Sequence, residues 1–205
     1  MRWPPPRRPL EGAIVRLEPL EAGHRDGLRR AAEDEETCAW LDPRVPRDAM
    51  AFHGWFEARL IASRDAEEWC FATCSVADGA PIGSSSYLNV RTEHDGLEIG
   101  WTWLRPSAWR TGANLEAKLL MLAQAFDELG CMRVRFKTDA RNERSRAALA
   151  ALPATFGGVL RKHMRTPMVG VRDSAYYSIV DDEWAEVRKN LLDRLRRGAE
   201  AGAHA

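Results

Sequence analysis

Residues 113–129 are the stretch that most restricts what this chain can fold into. Leu115, Leu119, Leu122, Ala123, Phe126 and Leu129 recur at helical spacing, and Gly130 follows as a stop, so the pattern predicts one long amphipathic helix from Ala113 to Leu129. Strand signals flank it. Leu97 to Leu104 reads as a strand stopped by Pro106, and Met132 to Thr138 alternates Val134 and Phe136 with Arg133, Arg135 and Lys137. A helix of that length held between two strands needs a sheet to cover its apolar stripe.

The rest of the chain supplies one. Ala13 to Leu17 is a short strand ended by Pro19, and a helix is expected from about Ala22 to Glu33. Pro46 opens a second helix in which Phe52, Phe56, Leu60 and Ile61 recur at helical spacing. Glu68 to Ser75 and Pro81 to Val90 form a predicted hairpin around Asp78-Gly79. A short helix spans Asn142 to Leu152, and Phe156 to Arg165 pairs with Val171 to Val180 around Pro167 and Gly170. From Asp182 a closing helix carries Trp184, Val187, Leu191 and Leu195 on one side. The order β α α β β β α β α β β α means an α/β fold with a partly antiparallel sheet, not a doubly wound one. Residues 1–10, rich in Pro and Arg, are expected to be a loose arm and 198–205 a flexible tail, leaving a single domain over 11–197.

Composition narrows the functions. At 205 residues, 45% hydrophobic and 29% charged, the chain can bury a core without disulfides or metal. Thirty basic residues offset thirty acidic ones, which argues against nucleic acid as a partner. No run approaches the roughly 20 apolar residues that span a bilayer, so no membrane partner is expected. MRWPPPRRPL lacks the apolar stretch of a secretory signal, and a cytoplasmic location is the expectation. Cys70 and Cys74 share one strand face about 13 Å apart by strand rise, too far for a disulfide or a shared zinc. Cys38, Cys70, Cys74 and Cys131 therefore read as buried reduced thiols, and no metal is expected. His24, His53, His94, His163 and His204 show no ligand spacing either.

The informative junction runs from Glu98 to Asn114, where a strand passes through a loop containing Gly112 into the long helix. Backbone N–H groups at such an N-terminus are unpaired and favour an anion, so a phosphate cradle and a plain strand-to-helix turn are both open. Downstream, Arg133, Arg135, Lys137, Arg141, Arg144 and Arg146 make a basic band that suits either phosphates or a solvated face. Asn142 and Ser145 open the next helix on one face, and Asn142 also suits an N-cap. Strand alternation predicts Glu98, Gly100 and Thr102 on one face and Ile99, Trp101 and Trp103 on the other.

The stretches LEIGWTWLRPSAW, NLEAKLLMLAQAFDELG, RVRFKTDARNERSRAAL, GVLRKHM and RDSAYYSIVDDEW, in this order, resemble the GNAT acetyltransferase superfamily. The branch is the one similar to ribosomal-protein N-terminal acetyltransferases, and the likeness covers roughly residues 10–195. The resemblance implies a mixed, mostly antiparallel sheet splayed between its fourth and fifth strands, with acetyl-CoA bound in the split. It implies pantetheine pairing with the backbone around Trp103, Leu104 and Arg105, and pyrophosphate on the N–H groups of Arg110, Thr111, Gly112, Ala113 and Asn114. Relatives read Arg/Gln-x-x-Gly-x-Gly/Ala in that loop, so Ser107 stands where Arg or Gln is usual and Arg110 where the first Gly is usual. By resemblance Asn142 also holds the pantetheine and Ser145 faces the sulfur, in place of the Tyr that other branches use.

Transfer of acetyl to a primary amine, directly and in a ternary complex, is the implied reaction; the amine is a protein N-terminus or a small molecule. Glu98 is the leading candidate for the base, against a purely structural carboxylate, with His163 and Glu143 behind it. A CoA-binding module without turnover is the alternative. Pro153, where relatives carry Gly, requires a rebuilt exit from the Asn142 helix. Apolar residues on the closing helix and the last hairpin suit a homodimer, with a monomer the other outcome.

Overall fold

The computed structural model describes residues 1–38, 40–41, 45–166 and 170–203. Eight strands form one sheet: β1 Leu10–Glu11, β2 Val15–Pro19, β3 Trp69–Ser75, β4 Pro81–Arg91, β5 Gly96–Leu104, β6 Arg133–Asp139, β7 Thr155–Thr166 and β8 Gly170–Val180. Their order is β1-β2-β3-β4-β5-β6-β8-β7, and every adjacent pair is antiparallel except β5 and β6. The helices are α1 Arg25–Ala31, α2 Ala49–Arg64, α3 Ala113–Ala123, α4 Glu143–Ala150 and α5 Asp181–Ala203. The expected turn at Pro167 lies outside the described residues, as does His204.

The sheet divides the core in two. On one face α3 and α5 pack over Leu17, Phe71, Tyr87, Leu97, Ile99, Val134, Phe136 and Ile179. On the other, Leu28 of α1 and Phe52 and Phe56 of α2 pack with Cys70, Ala72 and Trp103. All four cysteines are free and buried. Burial pushes the thiols up, to about 11 at Cys70 and about 12 at Cys38, Cys74 and Cys131.

Several expected boundaries move, each for a visible reason. The strand expected from Ala13 is β2, which begins at Val15 because 12–14 turn tightly from β1, and Glu116 of α3 clamps that turn. Its carboxylate accepts the N–H groups of Ala13, Ile14 and Val15 at 2.9, 2.7 and 2.7 Å. A Cβ on Gly12 would lie 2.4 Å from that carboxylate and 2.6 Å from the Val15 carbonyl, so only glycine fits. Glu116→Ala is expected to lower the unfolding free energy by about 2 kcal/mol in a urea titration, since three donors lose their acceptor. The second helix starts at Ala49, where Asp48 caps the Ala51 N–H at 2.9 Å, and not at Pro46. The long helix widens into a π turn at Gln124–Glu128 before reaching Leu129. Just upstream, the buried Tyr87 hydroxyl donates to the Met121 carbonyl at 2.7 Å, an insertion of the kind that disturbs a helical ladder.

Both ends carry contacts or regular structure. Within residues 1–10 the Arg2 N–H donates to the Leu129 carbonyl at 2.7 Å. The Trp3 indole N–H donates to Ala66 at 3.1 Å, and its ring meets Trp69 and Tyr87 edge-on at 6.2 and 6.3 Å. Packing one half-buried indole against the core anchors this otherwise polar segment. At the other end α5 continues as helix to Ala203.

Candidate functional site

Strands β5 and β6 are paired at three positions only, Gly96 with Arg133, Leu97 with Val134 and Glu98 with Arg135. Beyond them both strands continue, β5 to Leu104 and β6 to Asp139, without pairing to each other. The parallel pair therefore opens into a fork at its carboxyl end. Each strand then feeds a helix N-terminus, α3 after β5 and α4 after β6. Ligands in open α/β sheets favour such a crevice, because unpaired backbone and two helix dipoles converge there.

The wall formed by β5 differs from simple alternation. Ser84 of β4 faces Trp103 but Ser86 faces Gly100, so β5 carries one extra residue. Trp101 absorbs it at φ +49°, the left-handed region that a bulky side chain rarely enters. The faces invert past this bulge. Ile99 and Leu104 belong to the α3 side, Trp103 to the α1–α2 side, and Thr102 bonds to Ser85 and Lys118 on the α3 side. Trp101 lies under the Arg59 guanidinium of α2 at 5.2 Å and lines a small cavity with Leu20, Leu28, Trp55 and Arg59. Thr102 does not share a face with Glu98, and Trp103 does not share one with Ile99.

Of Trp103, Leu104 and Arg105, only Leu104 turns its backbone toward the fork. The Arg105 N–H donates to the Ile82 carbonyl at 2.8 Å, and Trp103 stands opposite Ser84, so both face β4. The Leu104 carbonyl is taken by the Trp109 indole N–H at 2.8 Å. In the loop after β5 Arg110 sits at φ +63° and Gly112 at φ +89°, so the position where the family pattern has its first glycine is left-handed in this chain. Arg110→Gly is expected to raise the unfolding free energy by about 1 kcal/mol, measured by urea titration, because glycine enters that region without a Cβ penalty. Thr111 ties the loop by donating to the Ala108 carbonyl at 2.8 Å, and Ala113 and Asn114 begin α3.

On the β6 side Asn142 caps α4. Its side-chain oxygen accepts the Ser145 N–H at 3.0 Å, so the Asn-x-x-Ser spacing closes on itself. Asp139, buried at the end of β6, is held below the usual carboxylate range by the Arg141 guanidinium, which contacts it at 2.8 and 3.0 Å. The basic band is mostly structural girdle. Arg135 and Lys137 face Glu98, Arg146 donates to the Tyr177 hydroxyl at 3.2 Å, and Arg144 stacks on Trp109 at 4.0 Å. That last contact joins α4 to the loop after β5 across the fork. The exit from α4 is a turn over 151–153, where Pro153 supplies no N–H donor.

Glu98 lies at the last paired position, where the strands part, and is 2% exposed. Arg135 Nε is 3.2 Å and Lys137 Nζ 3.7 Å from its carboxylate, and the Asn89 amide donates to it at 3.1 Å. Sequence reasoning could not see these partners, which come from neighbouring strands. His163 of β7 contacts Ser174 at 3.0 Å and the Tyr176 hydroxyl at 3.3 Å. Burial, then the charges of Lys137 and Arg172, push His163 below its ordinary value. Glu143 is exposed on the first turn of α4. Among the described residues one group has the make-up of a metal cluster: Glu18, His24 and Cys74. His24 Nδ1 accepts the Glu21 N–H while Nε2 meets Glu18 at 2.8 Å, and Arg16 takes the other Glu18 oxygen, so its polar atoms satisfy one another.

A parallel strand pair that parts into a fork, with a helix N-terminus behind each arm, offers unpaired backbone and anion-favouring helix ends to a ligand. The match to the Acetyltransferase (GNAT) domain family over residues 15–154 makes this specific: the chain belongs to the GNAT acetyltransferase family. Acetyltransferases of this family use acetyl-CoA. The chain is 26% identical over 198 residues to the FsC-acetyl coenzyme A-N(2)-transacetylase of Aspergillus fumigatus, covering 91% of this chain and 82% of that one. It superposes on a GCN5-related N-acetyltransferase from Brucella melitensis with TM-score 0.86 and 30% identity, covering 92% and 86%. The fold is also that of Mycobacterium smegmatis RimJ in complex with CoA-disulfide, with TM-score 0.76, 20% identity and 92% of each chain. No helix among the described residues is long and apolar enough to cross a membrane.

The residues present fit an acetyl-CoA molecule on two observations. The fork leaves the β6-facing side of β5 without a strand partner beyond Glu98, which suits an extended arm added beside it. The turn into α3 follows a left-handed Gly112 and ends at a helix N-terminus, where a long Ala113 N–H contact to Thr111 Oγ1 at 3.4 Å is easily exchanged for an anionic oxygen.

Proposed function

We propose that the chain transfers acetyl from acetyl-CoA to a primary amine in a ternary complex, the acceptor being a protein N-terminus or a small-molecule amine. The observation that carries this reading is the fork between β5 and β6, closed at Glu98 and flanked by the two helix N-termini. When bound, the cofactor supplies an activated thioester. Backbone N–H groups of Arg110, Thr111, Gly112, Ala113 and Asn114 hold its anionic oxygens, and Leu104 with neighbouring Trp103 and Arg105 forms the wall along its arm. Asn142 positions the arm from the other side. Ser145 donates toward the departing sulfur, and its place on the first turn of α4 favours a polarised hydroxyl.

Attack needs a neutral amine, so a proton must leave it. Glu98 takes that role in the proposal because it stands where the strands part. A second reading is favoured by a specific observation: the Glu98 carboxylate is already engaged by Arg135 and Lys137, whereas burial and nearby positive charge lower His163 and favour its neutral form. Release of free CoA from acetyl-CoA, followed with a thiol reagent across peptide and small-molecule amines, tests the activity. Acetyl-CoA binding without turnover across the panel would establish the binding module instead.

Four buried thiols suit a reducing compartment, and a cytoplasmic location belongs to the same proposal. A homodimer through the last hairpin is supported by exposed Phe156, Val159, Leu160 and Val171. The closing helix does not add to that surface, because Trp184, Val187 and Leu191 are buried in the chain's own core.

A further inference from the structure

Lys118 is an unexpected residue to find where it is. It lies on the core-facing side of α3, 4% exposed, and the described residues include no carboxylate within ion-pair distance of it. Its Nζ donates instead to two hydroxyls, Ser85 Oγ of β4 at 2.9 Å and Thr102 Oγ1 of β5 at 2.5 Å. Those hydroxyls are 2.7 Å from each other, so the three side chains close a triangle beneath the sheet. A buried ammonium without a counterion is costly, so the two hydroxyls are what satisfies it here.

The triangle sits at the one point where β5 breaks its alternation. Ser85 lies between Ser84 and Ser86, the β4 residues across which the register slips, and Thr102 follows Trp101 directly. Had the strand alternated simply, Thr102 would face α1 and α2 with Glu98, and Trp103 would face α3. Drawing Thr102 to the α3 side requires the left-handed turn at Trp101, and that turn carries Trp101 and Trp103 to the opposite face. Trp101 then lines the small cavity beside Trp55 and Arg59 of α2, on the face of the sheet opposite α3.

We infer that Lys118 is a positioning residue: by holding Thr102 and Ser85 beneath the sheet it fixes the β5 bulge and thereby sets Trp101 against the acceptor amine. This rests on the proposed acetyl transfer only for its effect on the amine; the bulge itself can be tested without turnover. The geometry carries a second signature. Burial lowers Lys118 from its ordinary 10.5 to about 7. No charged neighbour contributes to that shift: Glu116, two residues earlier, is engaged with Ala13, Ile14 and Val15, and the Tyr87 hydroxyl of β4 donates to Met121. Between about 7 and 10.5 the unfolded chain holds a proton on this lysine that the folded chain has released, so stability rises with pH across that window.

Lys118→Met, which keeps the length and packing of the side chain, and Thr102→Val separate the possibilities. In amide hydrogen exchange, residues 99–104 are expected to exchange at least about tenfold faster in each variant, and no faster in the double variant than in either single one. Unchanged exchange in both variants would overturn the inference whether or not the protein is active. The rise in stability between pH 7 and 10 is expected in the parent and to be absent from Lys118→Met; the same rise in both would assign it to other groups and overturn the burial argument. With acetyl-CoA and an alanine-initiated hexapeptide as probe, KM for the peptide should rise about tenfold while KM for acetyl-CoA stays within twofold. Equal losses in both would mark Lys118 as merely structural. Should Lys118→Met fail to fold, Ser85→Ala and Thr102→Val carry the same exchange and kinetic tests. If no amine in the panel is acetylated but residues 99–104 still loosen, the transfer reading and the effect on the amine fail, and the role of Lys118 in holding the β5 bulge stands.

Discussion

Asn142→Ala is expected to raise the dissociation constant for acetyl-CoA at least about tenfold in a calorimetric titration, roughly 1.4 kcal/mol of binding. The same variant should lose about 1 kcal/mol of unfolding free energy, because its oxygen caps α4 through the Ser145 N–H. The two effects separate in Asn142→Asp, which keeps a capping oxygen and removes the amide donor. Aspartate should restore the stability but not the affinity. If it binds acetyl-CoA as tightly as the parent, Asn142 is a cap and nothing more. Gly112→Val tests the opposite wall of the fork. A Cβ at φ +89° is strained, and it would come within 2.8 Å of the Ile14 methyl, so the turn into α3 must shift. A similar loss of affinity is expected there, and unchanged binding in both variants would move the cofactor out of the fork.

The second large effect concerns the proton. Glu98→Gln should lower kcat about 100-fold, the usual contribution of a general base, while acetyl-CoA affinity changes less than twofold. Glutamine keeps the shape and the contact from Asn89 but leaves Arg135 and Lys137 facing a neutral group. The pH profile decides whether that loss is one of base catalysis or of organisation. If Glu98 receives the proton, the acid limb of kcat/KM disappears in Glu98→Gln and survives in His163→Gln. If His163 is the acceptor, activity rises with pH through a midpoint below 6.5, since the ring must be neutral and its ordinary value is lowered by burial and nearby cations. In that case the limb vanishes in His163→Gln and remains in the glutamate variant.

Much of this frame is readable from residue pattern. The apolar stripe of α3, the Asp78-Gly79 hairpin and the alternation of β6 each depend on neighbours a few positions apart, and those elements stand where the pattern places them. The fork itself came only with the family resemblance; the residue pattern alone gave a helix N-terminus after each of the two strands. The interior of the site was not readable. Glu98 looks from the chain like a lone carboxylate on a strand, yet its character is set by Arg135 and Lys137, more than thirty residues away and on the adjoining strand. The loop after β5 looks degenerate because Arg110 replaces a glycine, but backbone constraints from Thr111 and α3 hold it left-handed all the same.

The sequence alone therefore determined the class of fold, the family resemblance and the segment from Glu98 to Ser145, since local periodicity and short spacings are properties of one stretch of chain. Tertiary structure decided which groups face the fork. One extra residue in β5 inverts every side chain after it, because strand side chains alternate with period two. Whether that residue is inserted at Trp101 depends on Lys118, Ser85 and Thr102 meeting from three different elements. No window along the chain contains that contact.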